Sequence, residues 1–444
     1  MTSEIILMNK EAIAMAADSA ATLTDSKIFQ ANKIFTLSKY APVGVMIYGS
    51  SQFMGIPWET IIKEFRKTLA NQKFNSIQEY ASHFIEFIKT HNLILTEDEL
   101  KNSFIPYLNG YFDFIISQIK ENVQKHIEIN KKVSDDEIID IASNVIKSQV
   151  EVWERANYHP DIDSSSIDKF VTKHQKEINT LFDEKFEKIA QVIKTDPKFQ
   201  DTYNNVRKIS ACYFLKHSKE LNFPNISGIV IAGFGEKEIF PSYISFSIWM
   251  KCDDFLKYVE EFKNNITLQS PANLTPFAQG EMVKLFMEGI DPIYQQIIYA
   301  TIEELLKKFP EYVGKNIKNL DADEKNKLIS NLLQKNEAIF KEFVKKLNEY
   351  KRENSIQPIL DVVTNLPRDE LAGMAETLVN LTSFKRRVSM QVETVGGPID
   401  VAVITKGDGF IWIKRKEYFK AELNPQFFAN YYNLENTKTC EGQK

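Results

Sequence analysis

Cysteine is scarce in this chain, with three among 444 residues. Cys212, Cys252 and Cys440 stand far apart and are odd in number, so the sequence shows neither a disulfide framework nor the paired spacing of a zinc site. The six histidines are scattered as well. We therefore expect no metal site and no cofactor.

Long apolar runs and a strong charge of one sign are absent too. No stretch of about 18 apolar residues occurs, so we expect no membrane-spanning helix. The sequence does not open with a charged and then apolar export segment. A net charge of −5 gives no general attraction to nucleic acid or to an anionic membrane. These absences together predict a cytoplasmic globular protein that binds neither nucleic acid nor membrane.

Glycine is missing from most of the middle of the chain. Between about Thr96 and Leu221 the only glycine is Gly110, and this stretch is rich in Lys, Glu, Asn and Ile at helical spacing. The sequence before and after this stretch has patterns typical of β-strands, which favours an α+β fold that carries helical insertions. We expect a core of residues 1–95 and 222–420, helical insertions at 96–221 and 309–354, and a C-terminal tail at 421–444.

Two short apolar stretches open the chain, at residues 4–8 and 12–17, on either side of a polar trio at 9–11. This pattern predicts a hairpin of two buried strands. Asp18 stands at the inner end of the second strand. Because an isolated buried carboxylate is costly, Asp18 needs a partner, and a nearby Lys33 would supply one.

Thr2 follows Met1 and is the candidate nucleophile. If Met1 is removed, Thr2 carries a hydroxyl together with a free α-amine whose pKa, roughly 7.7–8.0, suits a base near neutral pH. Lys33 would lower the pKa of the Thr2 hydroxyl, and Asp18 would orient Lys33. Gly49, at the end of a predicted strand, would offer its backbone N–H to the oxyanion.

Each of these four residues also has a simpler interpretation. Threonine is common after Met1, and Asp18 with Ser19 is an ordinary turn signal. Lys33 suits an edge strand, and Gly49 suits a turn. Their order and spacing, rather than any single residue, favour the catalytic interpretation.

The segment from Thr2 to Thr22 includes Ala-Ala-Asp-Ser-Ala-Ala-Thr at 16–22. It resembles, without a gap, the mature amino terminus of a proteasome β-subunit or of the related bacterial ATP-dependent protease ring. Asn32-Lys33-Ile34-Phe35 is similar to the family's next strand, with a loop one residue shorter, and Gly49 ends a similar third strand. The chain thus resembles a divergent N-terminal-nucleophile (Ntn) hydrolase of the proteasome superfamily, with large helical insertions.

The resemblance implies a four-layer αββα sandwich and a threonine-type peptidase or amidohydrolase. Thr2, Asp18, Lys33 and Gly49 would carry its activity. The substrate would be a peptide or protein, cleaved at an amide bond. The resemblance also implies a homo-oligomer, either a ring or a stack, that hides the sites, and a separate ATPase or adaptor that feeds it.

The sequence departs from the family pattern at two places. Gln279-Gly280 stands where the family has a serine-bearing turn before a helix. Ahead of Gly396-Gly397, Val395 replaces the family's serine and Val392 its acid. Glu393 and Thr394 lie one residue out of step with that acid and serine, and they would substitute for them if the backbone shifts.

Two other functions fit the same sequence. A catalytically inactive structural subunit would keep the fold and use the insertions to bind a partner. A small-molecule amidase would use the insertions as a lid over a narrow cavity. Retention of Met1, or a Lys33 distant from the start of the chain, would favour the inactive subunit.

Overall fold

The chain divides into two compact units. The computed structural model describes residues 3–24, 27–91, 104–159, 162–163, 165–217, 226–253, 255–317, 320–389, 396–416 and 419–426. The first unit comprises residues 1–34, 239–241 and 266–444, and the second comprises 35–238 and 242–265. Within the described ranges, no helix combines the length and apolar character that crossing a membrane requires.

The strands of the described ranges are short, and most are apolar. They are β1 (Ser3–Asn9), β2 (Ala12–Asp18), β3 (Ala20–Thr24), β4 (Lys27–Gln30), β5 (Ile34–Thr36), β6 (Val43–Gly49), β7 (Gln52–Phe53), β8 (Ile56–Pro57), β9 (Asn157–Tyr158), β10 (Lys216–His217), β11 (Ser227–Gly233), β12 (Ser242–Cys252), β13 (Phe255–Asn265), β14 (Ala272–Ala278), β15 (Ile399–Thr405) and β16 (Gly409–Lys414).

The α-helices are longer and fill the stretches between these strands. They are α1 (Trp58–Leu69), α2 (Ile77–Thr90), α3 (Ile105–Asn130), α4 (Asp135–Arg155), α5 (Ser165–Thr195), α6 (Gln200–Leu215), α7 (Glu281–Glu288), α8 (Pro292–Asn316), α9 (Ala322–Lys351), α10 (Gln357–Asn365) and α11 (Arg368–Val388). Helix α8 begins at Pro292, upstream of the insertion boundary expected at residue 309. It continues through Pro310, a residue that usually ends or kinks a helix.

The first unit contains a five-stranded antiparallel sheet in the order β14, β1, β2, β15, β16. Asn9 stabilises the turn between β1 and β2, because its Oδ1 accepts hydrogen bonds from the backbone N–H groups of Glu11 (3.0 Å) and Ala12 (3.1 Å). The Asn9 amide donates in turn to the carbonyls of Val363 (3.1 Å) and Leu366 (2.8 Å). The predicted amino-terminal hairpin is therefore confirmed, and its turn is anchored to α10.

The core of the first unit lies between this sheet and helices α7, α10 and α11. Ile5 and Leu7 of β1 form a buried cluster with Leu371 and Leu378 of α11. The facing positions of β2 are alanines, which leave room for a helix to approach. Both faces of these strands are buried, as expected for near-continuous apolar runs.

The strand register brings four chain segments to one end of the sheet. Ser3 pairs with Ala278 at the end of β14, and Glu4 pairs with Ala17 near the end of β2. Asp18 pairs with Ile399 at the start of β15. The start of β1 therefore lies beside the ends of β2 and β14 and the start of β15.

The second unit contains its own five-stranded antiparallel sheet, in the order β13, β12, β11, β6, β5. Helices α1 and α2 pack on it through Trp58, Phe65 and Phe84, and the last two rings meet edge to face at 5.1 Å. These elements fall within residues 1–95 and 222–420, the part of the chain expected to form the core.

Helices α3 to α6 form a further core in the second unit. Its members include Phe112, Phe182 and Phe186, and it continues onto Trp249 and Met250 at the end of β12. The helices of the expected first insertion are thus packed against the second unit's sheet. The fold as a whole mixes helices with antiparallel sheets, in agreement with the α+β class. The order of the layers across the two units stays a prediction.

Candidate active site

Asp18 and Lys33 form a buried ion pair in the first unit. Asp18 is the last residue of β2 and Lys33 immediately precedes β5. Their side chains are almost fully buried, and Lys33 Nζ lies 2.6 Å from Asp18 Oδ1. The partner expected for Asp18 from the sequence is therefore the one that the structure provides.

Asp18 also accepts three backbone hydrogen bonds. Its Oδ1 accepts the backbone N–H of Ser3 (2.9 Å), and its Oδ2 accepts those of Ala20 (3.2 Å) and Gly396 (3.0 Å). Backbone donors compensate a buried carboxylate well because their geometry is set by the surrounding strands. Asp18 thus ties the start of β1 to the bend before β15 and fixes the position of Lys33.

Glu4 is a site residue that the sequence analysis did not select. It is 1% exposed, and its Oε1 lies 3.3 Å from Lys33 Nζ. Lys33 therefore lies between two buried carboxylates. The signal was present, since Glu4 is the one charged residue in the apolar run at 4–8, and a charge there needs a buried partner.

A second buried pair, Asp400 and Lys416, belongs to the same unit. Lys416 Nζ lies 3.4 Å from Asp400 Oδ2 and donates a hydrogen bond to the carbonyl of Ala31, and the Lys416 backbone N–H donates to Asp400 Oδ1 at 2.8 Å. Burial lowers the pKa of Lys416, and the negative charge of Asp400 opposes this change. The charge of Lys33 lowers that pKa further, which couples the two pairs.

The sequence analysis did not find this second pair, because consecutive basic residues at 414–416 resemble a charged surface. In the structure the three side chains diverge. Lys414 pairs with Glu376, while Arg415 lies 4.8 Å from the centre of the Trp412 ring. The Lys416 side chain is 11% exposed.

Thr2, the predicted nucleophile, lies outside the described residues, as do Met1, Glu393 and Thr394. Ser3 is described and is 2% exposed. Its backbone nitrogen, which is bonded covalently to Thr2, donates the 2.9 Å hydrogen bond to Asp18. The chain immediately after the predicted nucleophile is thus held by the residue that also holds Lys33.

Gln279 lies at the same end of the sheet as Asp18. It follows Ala278, the partner of Ser3 in the strand register, and is 7% exposed. Ala278 has a left-handed φ of 56°, which turns the chain toward α7.

Gly49 belongs to the second unit, where it ends β6. Its φ is +76°, and a Cβ at this position would come 2.3 Å from the carbonyl oxygen of Ile226. That oxygen accepts a hydrogen bond of 2.9 Å from the backbone N–H of Ser50. These contacts explain a glycine here by backbone geometry alone, so the oxyanion role of Gly49 stays a prediction.

His174, Cys252 and Asp253 form a separate cluster in the second unit, the one group of three or more potential metal ligands found among the described residues. His174 Nε2 lies 2.9 Å from Asp253 Oδ2, and Lys173 Nζ lies 2.5 Å from Oδ1. Burial raises the pKa of Asp253, but the hydrogen bonds from His174 and Lys173 outweigh it and lower the pKa.

Cys252 completes this cluster as a protonated thiol. Burial raises its pKa, and the charge of Asp253 raises it further. Apolar burial of this kind makes a cysteine unreactive. The contacts of Asp253 account for the cluster as a tie between α5 and the turn after β12.

No family model matches the chain, and no curated protein matches it. Solved structures of proteins called Anbu are similar to it. Anbu (ancestral beta-subunit) from Yersinia bercovieri is 8% identical over 97% of this chain and 95% of that chain, with a TM-score of 0.28. The Anbu complex from Pseudomonas aeruginosa, described as a helical assembly, is 7% identical over 97% and 94%, with a TM-score of 0.26. Anbu from Hyphomicrobium sp. strain MC1 is 7% identical over 99% of both chains, with a TM-score of 0.27. These values are too low to establish a common fold or activity.

Proposed function

We propose that this protein is a threonine-type Ntn hydrolase that cleaves an amide bond in a peptide or protein, with Thr2 as nucleophile. The observation that carries the proposal is the buried 2.6 Å ion pair between Lys33 and Asp18. Asp18 also binds the backbone N–H of Ser3, the residue bonded to Thr2. In this proposal the lysine and the acid lie beside the chain that follows Thr2, where the charge of the lysine would lower the pKa of a hydroxyl.

The energetic cost of this arrangement supports a functional role. Three ionisable side chains, Glu4, Asp18 and Lys33, are nearly fully buried together. A buried ion pair of this kind is often no more stable than well-packed apolar residues of the same size. Such groups concentrate at functional sites, where they supply charge for chemistry.

The proposed reaction begins with Thr2 at the amino terminus. The Thr2 hydroxyl oxygen attacks the amide carbonyl carbon, while the hydroxyl proton passes to the Thr2 α-amine. The carbon–nitrogen bond then breaks, and the departing amine takes that proton. Water attacks the resulting ester with the same α-amine as base, which releases the carboxylic acid and restores the hydroxyl.

The other residues have supporting roles in this proposal. The positive charge of Lys33 lowers the pKa of the Thr2 hydroxyl, and Asp18 positions Lys33. The Gly49 backbone N–H is the proposed oxyanion donor. The same proposal includes the four-layer αββα sandwich, a cytoplasmic homo-oligomer built as a ring or stack, and a separate ATPase or adaptor that delivers substrate.

One observation favours an inactive, partner-binding subunit as the second candidate. Glu4 lies 3.3 Å from Lys33 in addition to Asp18, so two carboxylates face one ammonium. An additional negative charge weakens the positive potential that Lys33 would exert on a hydroxyl. In this alternative, the buried charges hold the end of the sheet together without catalysis.

The proposal is tested on protein purified without an amino-terminal tag. Intact mass and amino-terminal sequencing show whether Thr2 is the first residue, and a threonine-directed electrophilic probe then reports its reactivity. We expect Met1 to be absent, labelling of one threonine, and complete loss of labelling in Thr2→Ala. The control is Thr68→Ala, which alters an exposed residue of α1 and should label normally. A retained Met1, or undiminished labelling of Thr2→Ala, would overturn the hydrolase and leave the inactive subunit.

A further inference from the structure

Lys33 lies on a short segment, residues 31–33, that follows β4 and precedes β5 without belonging to either strand. The hairpin before this segment is formed by β3 and β4, which make a two-stranded sheet of their own. The hydrogen bonds of the five-stranded sheet that contains Asp18 therefore do not hold the segment. The place of Lys33 relative to Asp18 depends on contacts made outside that sheet's strand pairing.

Two hydrogen bonds hold Ala31, the first residue of this segment. Its backbone N–H donates to the carbonyl of Ser19 at 2.8 Å, and Ser19 directly follows Asp18. Its carbonyl accepts a hydrogen bond from Lys416 Nζ. Lys416 comes from the chain just after β16, the edge strand of the five-stranded sheet. It therefore contacts the backbone two residues before Lys33 from a part of the chain that is remote in sequence.

Asp400 fixes Lys416 at both ends of the lysine. Its Oδ1 accepts the backbone N–H of Lys416 at 2.8 Å, and its Oδ2 lies 3.4 Å from Lys416 Nζ. Asp400 is 3% exposed and belongs to β15, where it pairs with Ala17, the residue before Asp18. Lys416 thus connects the carbonyl of Ala31 to the strand that lies beside the one carrying Asp18.

The electrostatics of Lys416 place it next to the candidate site. Burial lowers the pKa of Lys416, Asp400 raises it, and the charges of Lys33 and Asp18 lower and raise it respectively. Charges act on a pKa in this way only from nearby. A buried ion pair is often no more stabilising than apolar residues of the same size. The pair of Asp400 and Lys416 is therefore explained better by the geometry that it imposes than by stability.

We propose that Lys416 is a positioning residue for the reaction proposed above, because its Nζ holds the segment that carries Lys33. The Asp400 carboxylate orients Lys416, Lys416 holds the carbonyl of Ala31, and this hydrogen bond keeps Lys33 at its distance from Asp18. Lys416 acts through Lys33 and does not touch the substrate. The role in catalysis rests on the proposed function, whereas the link between the two lysines rests on the contacts alone.

The first test is the rate of labelling by the threonine-directed electrophilic probe, measured over a range of probe concentrations on the full-length protein. Lys416→Met should lower the rate at saturating probe by roughly 10- to 100-fold, because a displaced catalytic group loses its alignment. The half-saturating concentration should not change. Lys416→Arg keeps a positive charge and N–H donors and should recover most of the rate. The matched control is Lys414→Met, since Lys414 pairs with Glu376 and its side chain is 54% exposed.

The second test needs no activity. The shifts in urea midpoint caused by Lys416→Met and Lys33→Met should be less than additive in the double variant, because the first change already loosens the second residue. Lys414→Met with Lys33→Met should be additive. Additive shifts for Lys416, or a labelling rate unchanged in Lys416→Met, would overturn the proposal. An unlabelled wild type would count against the hydrolase itself, and the urea measurement would still decide whether Lys416 holds Lys33.

Discussion

Both units of this protein bury lysine side chains, and the two most deeply buried, Lys33 and Lys257, have different surroundings. In the first unit, Lys33 is 4% exposed, with carboxylate oxygens of Asp18 and Glu4 at 2.6 Å and 3.3 Å. In the second unit, Lys257 is also 4% exposed, and its Nζ donates a hydrogen bond to the carbonyl of Tyr213. Its Nζ lies 5.8, 5.2 and 6.0 Å from the ring centres of Trp153, Tyr213 and Trp249.

The difference shows that burial alone does not define the role of a lysine. Burial lowers the pKa of Lys257 well below its ordinary value, so its surroundings favour the neutral amine. Among the aromatic rings, the Lys257 side chain contributes packing and a hydrogen bond. Lys33 is instead held by two acids in an ion pair, which is the form that a charge-dependent reaction would use.

The largest effect that we expect comes from removing the ammonium of Lys33. Lys33→Met removes the ammonium that Glu4 and Asp18 share, which should lower the free energy of unfolding by about 3–5 kcal/mol. Urea unfolding measures the change. The control is Lys63→Met, because Lys63 forms an exposed pair with Glu59 at 2.6 Å and its loss should cost less than about 1 kcal/mol.

A triple variant separates charge from packing at this site. Combining Lys33→Met with Asp18→Asn and Glu4→Gln removes all three charges, so a large part of the lost stability should return. If the triple variant were as unstable as Lys33→Met, loss of packing rather than uncompensated charge would be responsible. The proposed difference between Lys33, held by charge, and Lys257, held by packing, would then not exist.

The next effect concerns the pH dependence caused by Lys257. Its folded pKa lies below the unfolded value of 10.5, so the unfolded chain binds more protons between these two values. The free energy of unfolding should therefore rise with pH across that window, by at most about 1.4 kcal/mol per pH unit. This gain should be lost when the pH is lowered through the same window. Lys257→Met should lack this rise, so its stability difference from the wild type should change steadily toward pH 10.5. A constant difference over the window would contradict the assignment.

The smallest effect that we expect concerns Lys416, whose surroundings combine burial, as at Lys257, with an acidic partner, as at Lys33. Burial lowers the pKa of Lys416, and Asp400 partly restores it. Asp400→Asn should lower that pKa further and cost about 1–2 kcal/mol at neutral pH, as for the loss of one partner of a charged hydrogen bond. Urea unfolding against Asp361→Asn, an exposed change on α10, measures it. A cost as large as that of Lys33→Met would show that the two pairs act as one network.

The pair of Asp18 and Lys33 could be predicted because it follows from a local rule. Asp18 ends an apolar strand, and a buried carboxylate requires a cation. Glu4 obeys the same rule, but its position two residues after the predicted nucleophile gave no spacing that pointed to Lys33. The pair of Asp400 and Lys416 was not predicted. Strand β16 lies between the two residues in the sequence and pairs with β15, and the bend after β16 places Lys416 beside Asp400.

The sequence by itself determined the amino-terminal hairpin, the helical character of the middle of the chain and the acid that Lys33 needs, because apolar periodicity and the cost of a buried charge act over short stretches of chain. Only the tertiary structure decided that Glu4 joins that pair, that aromatic rings surround Lys257, and that apolar side chains of α8 such as Leu305 and Tyr312 stay exposed. Whether a side chain is buried depends on segments that are far apart in the chain. The surroundings of a charged or apolar side chain are therefore set only when those segments pack together.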